Sequence, residues 1–346
     1  MRSLAALFPE KTNLAEPIGE VWLTGVDCKI ATGPFKGKTL GEAWKKMPAD
    51  WRGTRFSEPG DFPILIKFIF PNDKLSIQVH PDDAYASAHE KAAGGRGKTE
   101  MWHILSAEPG AQVLAGLKTG TTKEQFVSAI KSNALEELFV PWPVAAGDTM
   151  FLPARTPHTI GPGMVICEVQ EYSDLTYRVY DYGRVDANGK PRELHIEKAL
   201  EVMNFGTAED GKTNPLSISA TLFEKSILAA CPYFAAERLE LGVLQSSTEA
   251  SQFELLIVAS GSGVLDGPGF GMPYRNGECW LLPANLGQFY LIAGAEFPAR
   301  NGQYEQSQGA ERTIIIRTYV PDLGVLRSQL MRNGVTKARM SQFLFD

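Results

Sequence analysis

The stretch LSIQVHPDDAYASAHEKAAGGRGKTE, Leu75 to Glu100, decides how the rest of the chain is read. Its first six residues alternate. Leu75, Ile77 and Val79 take one side and Ser76, Gln78 and His80 the other, the period of a strand with one apolar and one polar face. A helical passage over residues 82–93 and the Gly-rich AAGGRG follow, and the next strand then carries Lys98, Glu100 and Trp102 on one face. Gln, His and Glu converging from two neighbouring strands make most of a site for a first-row divalent metal, and one more ligand completes it.

The chain around this stretch has 346 residues, 44% of them hydrophobic and 21% charged, with a net charge of −6. That size exceeds one comfortable domain, so two domains or one double-layered unit is expected. The negative balance and the lack of a long basic run argue against nucleic acid as a partner. The apolar run PILIKFIF (Pro63 to Phe70) is too short to span a bilayer and contains Lys67, and the start MRSLAALFPEKTN is too weakly apolar for a secretory signal. Cys28, Cys167, Cys231 and Cys279 are scattered, with no CxxC pair, which suits thiols in a reducing, cytoplasmic setting.

Turns are dense, with 33 glycines and 22 prolines, and short runs such as ILIKFIF, TMFLPA, MVICEVQEY, FELLIVAS and RTIIIRTYV lie between them. Many short strands at near-regular spacing predict an all-β sandwich or barrel with a few helices. Helical patterns are expected over residues 39–47, 82–93, 121–138, 193–203 and 322–331. A repeat orders these pieces. GDTMFLPARTPH from Gly147 matches GECWLLPANLGQ from Gly277, 130 positions later, and TEMWHILSA from Thr99 matches FELLIVASG from Phe253, 154 positions later. The two offsets differ by 24, about the size of the helix near 121–138 with its flanks. One β-module used twice, its first copy carrying a helical insertion, accounts for this.

The copies differ in chemistry. His158 of the first corresponds to Gln288 of the second, and projecting the larger offset back sets His80 against Phe234 and Gln78 against Pro232. Only Glu254, opposite Glu100, keeps a ligand-type side chain, so the second copy reads as structural. Gln78, His80, Glu100 and His158 therefore form the candidate centre, suited to Zn²⁺ and able to take Mn²⁺, Fe²⁺ or Co²⁺. Of the five histidines, His89 reads as a surface residue and His103 and His195 as structural.

The motifs LSIQVHPDD, GKTEMW, FLPARTPH and SDLTYRVYDYGR, in this order, resemble the short bacterial form of the type I mannose-6-phosphate isomerases, a double-cupin family. The resemblance runs from about Gly19 to Phe205 and continues more weakly to about Val320. It implies two jelly-roll (cupin) barrels in tandem, a catalytic one over 1–190 with an insertion near 121–140, a helical linker over 191–217, and a degenerate barrel without a metal site over 218–346. It implies one Zn²⁺ per chain on Gln78, His80, Glu100 and His158, Arg178 as a catalytic residue, and Lys67, Ser76 and Arg184 at phosphate-contacting positions. Lys67, inside a buried strand, needs an anionic substrate or a carboxylate beside it.

The activity implied is interconversion of mannose 6-phosphate and fructose 6-phosphate through a cis-enediol, with a small sugar phosphate as the partner and no membrane involved. Arg178 would stabilise the enediolate and Lys98 would shuttle protons, its pKa lowered by the metal. Metal-bound hydroxide, Lys98, Glu168 and Asp174 all remain open as acceptor of the C2 proton. The chain departs from the family pattern at Arg155, where a Gly is usual, and at His103, where a Tyr is usual. Other metal-dependent cupin chemistry, an Fe(II) oxygenase for instance, and a sugar-phosphate-binding module without turnover are the competing readings. Monomer and homodimer are equally compatible with the sequence, and 323–346 has no assigned role.

Overall fold

Among the described residues, short β-branched runs between turn residues fold into four sheets and a few short helices. The computed structural model describes residues 2–8, 18–58, 60–185, 188–205, 211–295 and 312–346. Residues 206–210 of the expected linker and 296–311 of the expected second barrel lie outside them. Two units divide the chain, one of residues 68–213 and one of residues 1–67 with 214–346.

In the 68–213 unit, five antiparallel strands lie in the order Tyr177–Tyr180, Ile77–Val79, His158–Ile160, Gln112–Leu117, Phe139–Pro143. A second set runs Met164–Glu171, Glu100–Ala107, Thr149–Leu152. Trp102, Ile104, Met150 and Ile166 from the second set share one buried cluster with Val113, Ala115 and Ile160 from the first, so the two pack face to face. The other face of the five-stranded sheet is apolar too. Ile77, Val79, Tyr177 and Val179 pack there with Phe126 and Ala129 of the helix Lys123–Ser132 and Ala199 and Val202 of the helix Ile196–Val202. Strand alternation then sends Gln78 and Arg178 to the opposite side, toward the facing strands.

Caps decide where the helices begin and end. Thr122 accepts from the Gln125 amide in a reciprocal capping box, and the expected 121–138 helix divides at Asn133, whose φ of 55° ends the first turn-set before a 3-10 segment, Leu135–Leu138. The expected 82–93 helix likewise splits into Asp83–His89, capped by Asp82, and the 3-10 turn Lys91–Ala93.

The other unit has six strands in the order Leu216–Ser219, Phe223–Ala230, Ala235–Leu241, Thr313–Tyr319, Glu254–Ser260, Cys279–Leu282, and four in the order Val243–Ser247, Gln288–Ala293, Gly263–Gly267, Phe270–Tyr274. The repeat is visible in register. Glu100 lies opposite Leu152 in one unit, and Glu254 lies opposite Leu282 in the other. Gly147 and Gly277, which open the matching motifs, both turn with positive φ, 93° and 79°. The tight Gly267–Phe270 hairpin stands where the first copy carries the Lys123–Ser132 helix.

One part of the sequence projection is corrected. Ser247 pairs with Gln288 as Gln78 pairs with His158, so Ser247, not Pro232, occupies the position of Gln78. The projection failed because residues 80–99 of the first copy shrink to a few residues before Glu254. The C-terminal segment also gains a role. Leu330, Met340, Phe343 and Leu344 bury themselves with Ile227, Ala230 and Ala235, and Ala230 exchanges backbone hydrogen bonds with Phe343 and Phe345.

Glu254 faces a protein cation here. Arg317 Nη1 lies 3.8 Å from it, while Arg317 Nε donates to Glu237 at 2.8 Å and Lys225 Nζ reaches Glu237 at 3.2 Å. Glu237 is buried, and removing one partner of a buried ion pair strands the other. Glu237→Ala is expected to lower stability by about 3 kcal/mol in urea unfolding. A loss below about 1 kcal/mol would mean the cluster is already hydrated.

Candidate metal centre

Cross-strand register assembles the site. Gln78 aligns with His158 on one neighbour and with Arg178 on the other. Residues paired this way share a face, so Arg178, Gln78 and His158 form a row across three strands. His80 follows directly after the Ile77–Val79 strand. From the facing strands comes Glu100, aligned with Leu152 and Gln170.

Each imidazole is held by a backbone carbonyl. His80 Nδ1 lies 2.7 Å from the Leu175 oxygen and His158 Nδ1 lies 2.8 Å from the Thr156 oxygen. A carbonyl only accepts, so each Nδ1 carries the proton and each Nε2 presents its lone pair. Those lone pairs face Glu100, with His80 Nε2 3.3 Å from Oε1 and His158 Nε2 3.6 Å from Oε2. Ligand atoms of His80, Glu100 and His158 all fall within 4.8 Å of one another, and all three residues are buried. Gln78 Nε2 lies 3.3 Å from His158 Nε2, and a half-turn of the amide sets Oε1 in its place.

The electrostatics favour a cation. Burial alone would push the Glu100 carboxyl up, yet the Lys98 ammonium, then the imidazoles, hold it well below the usual range. Burial, and next Lys98, pushes His80 down, and burial pushes His158 down to about 4, so both rings are neutral at pH 7. Lys98 Nζ pairs with Oε1 at 2.6 Å, and Oε2 accepts no hydrogen bond among the described residues. A buried carboxylate paired on one oxygen only and set between two imidazole lone pairs fits a divalent ion.

Lys98 Nζ also lies 3.4 Å from His80 Nε2. The lowering expected of its pKa is assigned to a bound metal, and the protein groups alone act the other way. Burial lowers it, but Glu100, Glu168 and Asp174 outweigh burial and raise it. Glu168 is engaged by Trp102 Nε1 at 3.0 Å, and the Trp102 ring stands edge-on to His158 at 5.2 Å. Arg178 Nη1 donates to the Glu193 carbonyl at 3.1 Å, while its Nε is buried and donates to nothing among the described residues.

Two of the phosphate candidates have protein partners of their own. Lys67 belongs to the other unit, buried with Nζ 4.2 Å from the Trp22 ring and 3.7 Å from Glu20. Ser76 is buried two residues before Gln78. Arg184 donates to Asp181 at 2.5 Å and to the Lys74 carbonyl at 2.5 Å, and Arg192 shares the same carboxylate. Sequence reasoning overlooked Arg192 and the carbonyls of Leu175 and Thr156. Residue type carries no signal for a backbone acceptor. His103 bonds Thr149 Oγ1 at 2.9 Å, His195 accepts from the Arg178 amide at 3.3 Å, and His89 stacks on Tyr85 at the surface.

Arg155, where a glycine was the expected pattern, keeps the glycine conformation with φ 74°. Its amide donates to the His80 carbonyl at 2.7 Å, and its Nε to the Val202 carbonyl at 2.8 Å. The left-handed backbone costs roughly 1 kcal/mol and the charged hydrogen bond offsets about as much. Arg155→Gly is thus expected to leave the melting temperature nearly unchanged, whereas Arg155→Ala keeps the strain and loses the bond, lowering stability by about 1 kcal/mol or more. Equal losses in both would show that the backbone there is unstrained.

The chain is similar to several known proteins. The family model for the catalytic domain of type I phosphomannose isomerase matches residues 2–104. Mannose-6-phosphate isomerase ManA of Bacillus subtilis is 35% identical over 270 residues, covering 77% of this chain and 82% of that one. The mannose-6-phosphate isomerase of Streptococcus mutans is 33% identical over 277 residues, covering 79% and 84%. The crystal structure of the Bacillus subtilis mannose 6-phosphate isomerase superimposes with a TM-score of 0.78 at 29% identity, over 91% of this chain and 94% of that one. With its buried His–Glu–His cluster and relatives of this identity and coverage, the chain belongs to the type I mannose-6-phosphate isomerase (phosphomannose isomerase) family.

Proposed function

We propose that this chain is a metal-dependent aldose–ketose isomerase that interconverts mannose 6-phosphate and fructose 6-phosphate through a cis-enediol. The observation that carries the reading is the buried Glu100 carboxylate, its Oε2 without a hydrogen bond among the described residues, facing the Nε2 atoms of His80 and His158 in a member of this family. His80, His158, Glu100 and Gln78 would hold one Zn²⁺. A bound divalent ion polarises the sugar oxygens next to the carbon that loses its proton.

The chain's own groups do the rest. Arg178 stands in the row beside Gln78 with a buried Nε–H that has no partner among the described residues, a fixed donor suited to negative charge developing on an enediolate oxygen. Lys98, held as an ammonium beside Glu100, is suited to deliver a proton to a sugar oxygen and take it back. Arg184 and Ser76 are proposed as phosphate contacts, and Lys67 on the resemblance alone. The two packed sets of strands in the 68–213 unit, and their counterparts in the other, support the reading of tandem jelly-roll barrels. All four cysteines are thiols, which supports a reducing, cytoplasmic setting, and no helix among the described residues is long and apolar enough to cross a membrane.

A coupled assay from mannose 6-phosphate is expected to lose activity on chelation, regain it with Zn²⁺ and consume no O₂. Undiminished turnover in a verified metal-free sample contradicts the reading, and O₂ uptake would favour an oxygenase. Lys67→Ala is expected to raise KM for mannose 6-phosphate by roughly 10-fold or more, the scale of one charge-assisted hydrogen bond, with far less effect on free mannose. The same change on both sugars would remove Lys67 from the phosphate site.

A further inference from the structure

We propose that Gln170 and Ser173 are positioning residues for the metal centre, holding the 171–175 loop so that the Leu175 carbonyl fixes His80 with its Nε2 toward Glu100. The inference rests on the metal-centre reading above.

The connections run through four residues. Gln170, fully buried and paired in register with Glu100, directs its Nε2 at two carbonyls, Ser173 at 2.5 Å and Glu171 at 3.2 Å. Both acceptors are oxygens, so the amide orientation is settled by chemistry, with Oε1 on the far side and without a partner among the described residues. Ser173, also buried, accepts from the Leu175 amide at 3.3 Å and donates its hydroxyl to the Arg96 carbonyl at 3.0 Å. The Leu175 carbonyl then accepts a hydrogen bond from the His80 Nδ1–H at 2.7 Å. One loop thereby ties His80 to the segment that enters the Glu100 strand.

The tautomer is the consequence that matters. An imidazole binds a metal only through a nitrogen without a proton, and the partner of the other nitrogen decides which that is. If the loop relaxes, Leu175 withdraws its carbonyl and the proton is free to sit on Nε2, where the lone pair should be. Gly97 and Lys98, just after Arg96, would lose an anchor at the same time. Partners of this kind alter metal affinity by about 10–100-fold when removed.

The test uses the full chain with Ser173→Ala, Ser173→Thr and Gln170→Leu. Zinc affinity is read by competition with a chromogenic chelator. The His80 tautomer in the metal-free protein is read from ¹⁵N chemical shifts, and thermal melts of the metal-free proteins report folding. Ser173→Ala is expected to weaken zinc binding about 10-fold and Gln170→Leu up to about 100-fold, each with His80 leaving the pure Nδ1–H form. Ser173→Thr, which keeps the hydroxyl, is expected to restore both. Parent-like affinity and a parent-like tautomer in Ser173→Ala and Gln170→Leu overturn the proposal. If Gln170→Leu does not fold, the Ser173 pair decides. A parent chain that binds no zinc refutes the metal centre itself, and the tautomer measurement still decides the role of the loop.

Discussion

A carboxylate buried between two imidazole lone pairs is the constraint around which the 68–213 unit is organised. Glu100 cannot be solvated where it sits, and Lys98 answers only one of its oxygens. The Lys98 ammonium compensates the carboxylate from one side, and the lone pairs of the neutral His80 and His158 beside it complete a donor set suited to a further cation. The second copy of the repeat shows the alternative solution. Glu254 occupies the same register position, and the Arg317 guanidinium lies beside it in place of imidazoles.

The outer helices are as necessary to this arrangement as the ligands. Ile77 and Val79 turn toward Phe126 and Val202, and only for that reason do Gln78 and Arg178 face inward. Removing that cover would remove the preference for one face, because a strand's side-chain period permits either. The ligands are further braced by backbone. Thr156 and Leu175 lend carbonyls to the two rings, and the left-handed Arg155 ties its amide to the carbonyl of His80. Local strain at Arg155 beside a functional turn is thus held by hydrogen bonds at both ends of the residue.

Much of this was legible in the sequence, for identifiable reasons. The alternation in LSIQVH and the spacing of Lys98, Glu100 and Trp102 state which side chains share a face, and local periodicity survives folding well. The repeat was legible because its glycines have a conformational job, as positive φ at Gly147 and Gly277 shows. The equivalence of Gln78 with Ser247 was not, since a long loop in one copy and a short one in the other break any constant offset. Helix ends at His89 and Asn133 were placed too late, because a left-handed or irregular cap residue outweighs a continuing apolar pattern. Arg192 on Asp181, the carbonyls behind the histidines and the Gln170–Ser173 link depend on tertiary proximity alone.

The most direct measurement is the crystal structure of the zinc-loaded protein with anomalous scattering recorded at the zinc edge. One strong zinc peak per chain is expected, bonded to His80 Nε2, His158 Nε2 and a Glu100 oxygen. A peak elsewhere, or a zinc-loaded structure in which Glu100 stands outside the coordination sphere, would contradict the proposed centre.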